Sequence, residues 1–206
     1  MVHYKLIYFP LKGRAEISRQ IFAYAGQDYE EQVVTFEQWP ALKNSTPFGQ
    51  IPVLEVDGKP IAQSYAIARF LAKRFGIAGQ NSIEEAEVNA IADQFHDYLN
   101  EVVPYMSVVA GFKPGDANQL RNDVFLPNFK KHFTLFEKIL AKNPSGFFVG
   151  NSLTWVDLLI SQHIQDILEK DSGVVEEFKH VLAHREKVQN LDKIKQWIEK
   201  RPKYPF

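Results

Sequence analysis

The stretch Pro47-Phe48-Gly49-Gln50-Ile51-Pro52-Val53-Leu54-Glu55-Val56-Asp57-Gly58, followed by Gln63-Ser64-Tyr65-Ala66-Ile67-Ala68-Arg69-Phe70-Leu71, combines a turn, a proline-bounded strand, a hairpin signal and a helix start. Asp57-Gly58 between two β-prone runs predicts a two-strand hairpin, because both residues accept the positive φ that tight hairpin turns demand. Pro52 opens the first strand. It has no N–H to give, so the edge at Ile51 is left for pairing with a peptide-like ligand. Ser64 precedes Ile67, Phe70, Leu71 and Phe75 at three- and four-residue spacing and is expected to cap a helix. The free amides and partial positive charge of that helix start suit a ligand carboxylate, with Gln63 beside them. Read alone, the same stretch also fits an ordinary hairpin followed by a capped helix.

Upstream, Tyr4 to Phe9 is β-prone and stops at Pro10, and Gly13-Arg14-Ala15-Glu16 leads into a helix whose Ile17, Ile21, Phe22 and Ala25 share a face. Gly26 ends that helix, and residues 29–34 supply a second strand, parallel to the first because a helix connects them. With a second helical region at Trp39-Pro40 to Lys43, the hairpin and the helix after it, residues 1–76 have the order βαβαββα and resemble a thioredoxin-like domain. Strand signals then disappear. Residues 82–206 read as an all-helical domain, with helices expected at 82–110, bending at Pro104, and at 118–142, 154–170, 174–182 and 185–200. Thr154-Trp155-Val156-Asp157 looks like a capping box, with Leu153 and Leu158 as its hydrophobic staple.

Composition excludes several classes of function. The 206 residues are 45% hydrophobic and 24% charged, ordinary for a globular protein. No apolar run approaches the roughly 18 residues that span a bilayer, and the first residues do not read as a signal peptide, so a cytoplasmic protein is expected. The net charge of -1 comes with no basic stripe, which argues against nucleic acid and membranes as partners. Residues 1–76 carry +2 and the remainder -3, a mild tilt toward a small anion on the first part. With 0 cysteines there is no thiolate metal site, redox pair or cysteine nucleophile, so any sulfur chemistry must use a ligand's sulfur. His180 and His184 could share a helix face, but no third ligand accompanies them, and they are expected to be surface residues.

The assembled motifs resemble the cytosolic glutathione transferases over essentially the whole chain, most closely the sigma class, which includes nematode transferases and haematopoietic prostaglandin D synthases. The resemblance rests on Tyr8-Phe9, Gly13-Arg14-Ala15-Glu16, Trp39-Pro40 with Lys43, the 47–52 turn, Gln63-Ser64 and the segment 150–157. It implies that Tyr8 bonds the glutathione sulfur and that Arg14 supplies charge or orients Tyr8. It further implies that Trp39 and Lys43 take the glycine end, Gln50 flanks the tripeptide, and Ile51, joined to Pro52 by a cis bond, pairs with the cysteinyl unit. Gln63 and Ser64 take the γ-glutamyl end, and Asp97 reaches it from a partner subunit, which implies a homodimer.

The chemistry suits that role for Tyr8. An ordinary thiol, with a pKa near 8.5, is only a few per cent ionised at neutral pH, and lowering that value by about two units takes about 2.7 kcal/mol of preferential interaction with the thiolate. Glutathione is then a cosubstrate and no further cofactor is required. For the hydrophobic electrophile the candidates are Phe9, Leu99, Tyr105 and the terminal residues Tyr204 to Phe206. The resemblance also offers a second enzyme reading, glutathione-dependent isomerisation of a prostaglandin endoperoxide, but Pro104-Tyr105 and His96 stand where those synthases carry a tryptophan and an aspartate, which weighs against it. The rival from another class is a non-catalytic carrier or structural protein, since related folds bind haem or other large apolar ligands.

Overall fold

The computed structural model describes residues 2–204, which form two units. One comprises the residues up to Ala78 together with those from Asn190 onward, and the other is Gly79–Gln189. Phe206 lies outside the described residues.

The first unit is built on a four-stranded sheet in the order β2-β1-β3-β4, with β1 at Tyr4–Tyr8, β2 at Glu30–Val33, β3 at Val53–Val56 and β4 at Lys59–Ala62. As expected from the intervening helix α1 (Glu16–Ala25), β2 runs parallel to β1, while β3 is antiparallel to both β1 and β4. The period-two burial of β1 puts Tyr4, Leu6 and Tyr8 on the inner face. There Tyr4 meets Phe22 of α1 at 5.3 Å, and Phe22 stacks on Tyr29 at 4.5 Å. Asp57 and Gly58 have φ of 49° and 79°, the doubly positive pattern of a type I′ hairpin, so local turn chemistry sets the β3-β4 register. Asp57 also ties the sheet together by accepting the His3 N–H through its side chain at 2.8 Å and donating its own to the His3 carbonyl at 2.9 Å.

Helix α2 (Trp39–Leu42) is a single turn leading into a 3-10 turn at Lys43–Ser45, and α3 (Ser64–Arg74) packs beside α1. The sequence places Ser64 at the N-cap, but the N-cap is Gln63 and Ser64 is the first helical residue. The reason is a left-handed backbone at Gln63, with φ of 73°, which turns the chain out of β4 one residue earlier than a serine cap would.

The second unit holds the 28-residue helix α4 (Ser82–Val109), α5 (Ala117–Leu120), α6 (Leu126–Lys142), α7 (Trp155–Leu168) and α8 (Lys179–Gln189). Asn81 caps α4 by accepting the Ile83 and Glu84 amides at 3.0 Å each, and the helix continues through Pro104. A π turn at Arg121–Phe125 joins α5 to α6, so the single helix expected over 118–142 is interrupted. The core between α4, α6 and α7 is aromatic, with Phe95, Tyr98, Phe129, Phe133 and Phe136 all buried. Tyr98 Oη and His163 Nε2 share a hydrogen bond at 3.0 Å, and burial depresses the His163 pKa to about 3.

Two differences from the sequence reading concern the last third. Helices α8 and α9 (Asp192–Lys200) divide at Asn190, where 174–182 and 185–200 were expected. The sequence suggests one helical domain over residues 82–206, yet α9 packs on α1 of the first unit. The residue that draws it there is Glu16, buried in α1, which accepts from Trp197 Nε1 at 2.8 Å and Arg201 Nη1 at 2.6 Å.

Candidate active site

Tyr8 is the last residue of β1 and is 7% exposed. Its hydroxyl oxygen accepts the backbone N–H of Arg14 at 3.1 Å, across a turn that begins at Gly13. Glycine is required there. Its φ is 38°, and a Cβ built on it would sit 2.7 Å from the Tyr8 hydroxyl oxygen. Burial pushes the Tyr8 pKa upward, opposed by the Arg14 amide and by the charges of Arg14 and Arg19. The phenol therefore keeps its proton at neutral pH, and with one lone pair engaged by Arg14 its O–H is available to donate to an incoming anion.

Arg14, whose amide bonds this hydroxyl, also lines a groove with Phe48, Gln50, Ile51, Pro52, Ala62, Gln63 and Ser64. The Ile51-Pro52 peptide is cis, as the resemblance implied. Gln63 Nε2 reaches Gln50 Oε1 at 3.5 Å, so the two glutamines face each other in the groove. A non-glycine residue held at positive φ costs about 1–3 kcal/mol, which is the kind of strain that collects at binding sites. Ser64 is buried at the start of α3, where the first amides have no partner within the helix. Six sequence-selected residues, Arg14, Gln50, Ile51, Pro52, Gln63 and Ser64, thus meet in one groove.

Tyr8, Trp39 and Lys43 are not among the groove's lining residues. Trp39 opens α2 and meets Phe9 edge-on at 5.6 Å, while Phe9 stacks on Phe36 at 4.6 Å. The exposed Lys43 is kept close by Gly49, whose φ is 62° and whose Cβ would touch the lysine Cε at 3.4 Å. Asp97 is exposed on α4, one residue before the buried Tyr98. Leu99 is half-buried on the same helix. Tyr105 stacks on Phe125 at 4.7 Å, and burial with the Asp171 charge raises its pKa against the pull of Arg121.

The burial of Glu16, Arg19 and His184 is not visible in the sequence. Arg19 is 1% exposed and sits under the Tyr8 ring, its guanidinium carbon 5.8 Å from the ring centroid. Glu16 and Arg19, three residues apart on α1, look like an ordinary surface pair until their distant partners are known. His184, expected at the surface, is 2% exposed and joins Nε2 to Asp157 Oδ1 at 2.9 Å, while His180 stays exposed and pairs with Glu137 at 2.8 Å. Asp157 is the capping-box carboxylate. It also accepts the Thr154 N–H and hydroxyl at 2.8 and 2.7 Å and the Phe148 N–H at 2.9 Å, so a buried imidazole completes its shell.

Two family models match the chain: "Glutathione S-transferase, N-terminal domain" over residues 4–73 and "Glutathione S-transferase, C-terminal domain" over residues 90–201. Among curated proteins, the probable glutathione S-transferase 6 of Caenorhabditis elegans is 74% identical over 206 residues, covering 100% of both chains. Among solved structures, a Nu-class transferase from Haemonchus contortus superimposes with a TM-score of 0.92 at 51% identity, covering 100% of both chains. A monomeric glutathione S-transferase from the hookworm Necator americanus gives 0.97 at 48% identity, covering 99% of this chain and 100% of that one. The fold, the two family matches and the agreement along the full length lead to one conclusion: this chain belongs to the glutathione S-transferase family.

Proposed function

We propose that the chain conjugates glutathione to hydrophobic electrophiles, with Tyr8 holding the sulfur as a thiolate by donating its phenolic proton to it. The observation that carries this reading is the Tyr8 hydroxyl, sheltered from water, protonated at neutral pH and oriented by the Arg14 amide at 3.1 Å. An O–H aimed at a developing anion stabilises the charged form and leaves the neutral thiol almost unaffected. Arg14 adds positive charge on the same side.

In this reading Gln63, Ser64 and the free amides of α3 hold the γ-glutamyl carboxylate, and the Ile51 backbone pairs with the cysteinyl unit. Gln50 flanks the tripeptide, and Lys43 with Trp39 takes the glycine end. The exposed Asp97 reaches the γ-glutamyl amine of the site in a second copy, so the active form is a homodimer. The motifs around Tyr8, Trp39 and Gln63 support a sigma-class assignment within the family.

The test is steady-state conjugation of a generic aryl halide by Tyr8→Phe. Loss of about 2.7 kcal/mol of thiolate stabilisation lowers kcat about a hundredfold with the KM for glutathione nearly unchanged. Turnover equal to that of the unmodified protein would exclude the role.

A further inference from the structure

Arg19 lies at a crossing between the proposed catalytic tyrosine and the end of the chain. Its Nε and Nη2 stand 2.7 and 2.6 Å from Glu31 Oε1, and its Nη1 donates to the carbonyls of Leu11 at 2.7 Å and Lys12 at 3.3 Å. Nη1 is also 3.5 Å from Glu16 Oε2. Leu11 and Lys12 form the loop that runs from Tyr8 to the turn carrying the Arg14 amide. A guanidinium holding both carbonyls therefore fixes where that amide points.

The same guanidinium touches two aromatic rings, Tyr8 at 5.8 Å and Tyr204 at 5.5 Å, both within cation–π range. Tyr204 reaches it because the preceding residues are clamped to α1, with Trp197 and Arg201 both bonded to Glu16. Glu16 and Glu31 balance Arg19 and Arg201, so the cluster is close to neutral. Desolvated pairs of this kind contribute little net stability but strictly limit where their members can sit.

We propose that the C-terminal segment is a working part of the catalytic site, with Arg19 as a positioning residue for the Tyr8 hydroxyl and the Tyr204 ring closing the other face of Arg19. The proposal rests on the reading of Tyr8 given above. With the Tyr204 ring in place, Arg19 is shielded from water and its charge acts on Tyr8 through a poorly screening medium. Without it, water reaches the guanidinium, its field at Tyr8 weakens and the Leu11–Lys12 loop loosens. The expected consequence is a less acidic bound thiol.

Because Arg19 is buried, the decisive variants are in the tail. Bound glutathione is titrated by its ultraviolet thiolate absorbance in the unmodified protein and in Tyr204→Leu, Tyr204→Phe, Arg201→Gln and Tyr8→Phe, each first checked for native circular dichroism. Tyr204→Leu is expected to raise the thiol pKa by about 0.5 unit, about a threefold loss of thiolate on the acid side and of kcat/KM there. Arg201→Gln moves it the same way, and Tyr204→Phe, which keeps the ring, titrates like the unmodified protein. The proposal is overturned if Tyr204→Leu leaves the titration in place, if it changes only the KM for the electrophile, or if Tyr204→Phe shifts as far as the leucine variant. Those results leave the Tyr8 reading standing wherever Tyr8→Phe abolishes the acidic thiol. If Tyr8→Phe also titrates unchanged, both fall.

Discussion

A phenol that must donate to sulfur needs its other hydrogen-bonding capacity used up and its ring held still. Both conditions are met at Tyr8 by backbone, through the Arg14 amide above the hydroxyl and the glycine that lets the turn approach. Gly13→Ala is therefore expected to act on chemistry more than on folding. The new methyl would occupy space 2.7 Å from the hydroxyl oxygen at a φ of 38° that alanine disfavours. Strain at such a site costs on the order of 1 kcal/mol, whereas a displaced catalytic group can cost about tenfold or more in rate. Kinetics of Gly13→Ala beside its urea midpoint will show a fall in kcat/KM out of proportion to the loss of stability. A variant with normal kinetics would mean that the turn relaxes without moving Tyr8.

At the scale of elements, the best-buttressed start is that of α7. Asp157 accepts from four groups, the Thr154 amide and hydroxyl, the Phe148 amide and His184, and is fully buried. Asp157→Ala leaves all four donors without a partner in the core and is expected to destabilise the protein by about 3 kcal/mol or more, with Asp157→Asn costing less because one carbonyl acceptor remains. Equilibrium denaturation measures the difference, and equal midpoints for the two variants would contradict it. The capping box was legible because its spacing is local, as was the hairpin, whose turn residues announce their own φ. His184 was not legible, since what buries it is a carboxylate 27 positions away. Nor was the exact start of α3, because Gln63 adopts a conformation that no glutamine advertises. Nor does the sequence single out Arg19 or the burial of Glu16, whose partners Trp197 and Arg201 lie far along the chain.

For the molecule as a whole, stability and activity depend on pH through different groups. His163 is neutral in the folded core with a pKa of about 3, against an ordinary value near 6.5. Between those limits the unfolded chain binds a proton that the folded one does not, so stability is full above about pH 6.5 and declines as pH falls toward 3, by up to about 1.4 kcal/mol per unit. His163→Gln keeps a hydrogen-bonding group for the Tyr98 hydroxyl and should flatten that acid limb in denaturation experiments repeated across pH; an unchanged slope would assign it to other groups. Activity should instead follow the bound sulfur. The most direct measurement is the titration of glutathione in its complex with the unmodified chain and with Tyr8→Phe. Half-ionisation is expected about two units below the ordinary thiol value near 8.5 in the first, with a return toward that value in the second. A complex whose sulfur titrates like free glutathione, or a Tyr8→Phe complex as acidic as the original, would contradict it.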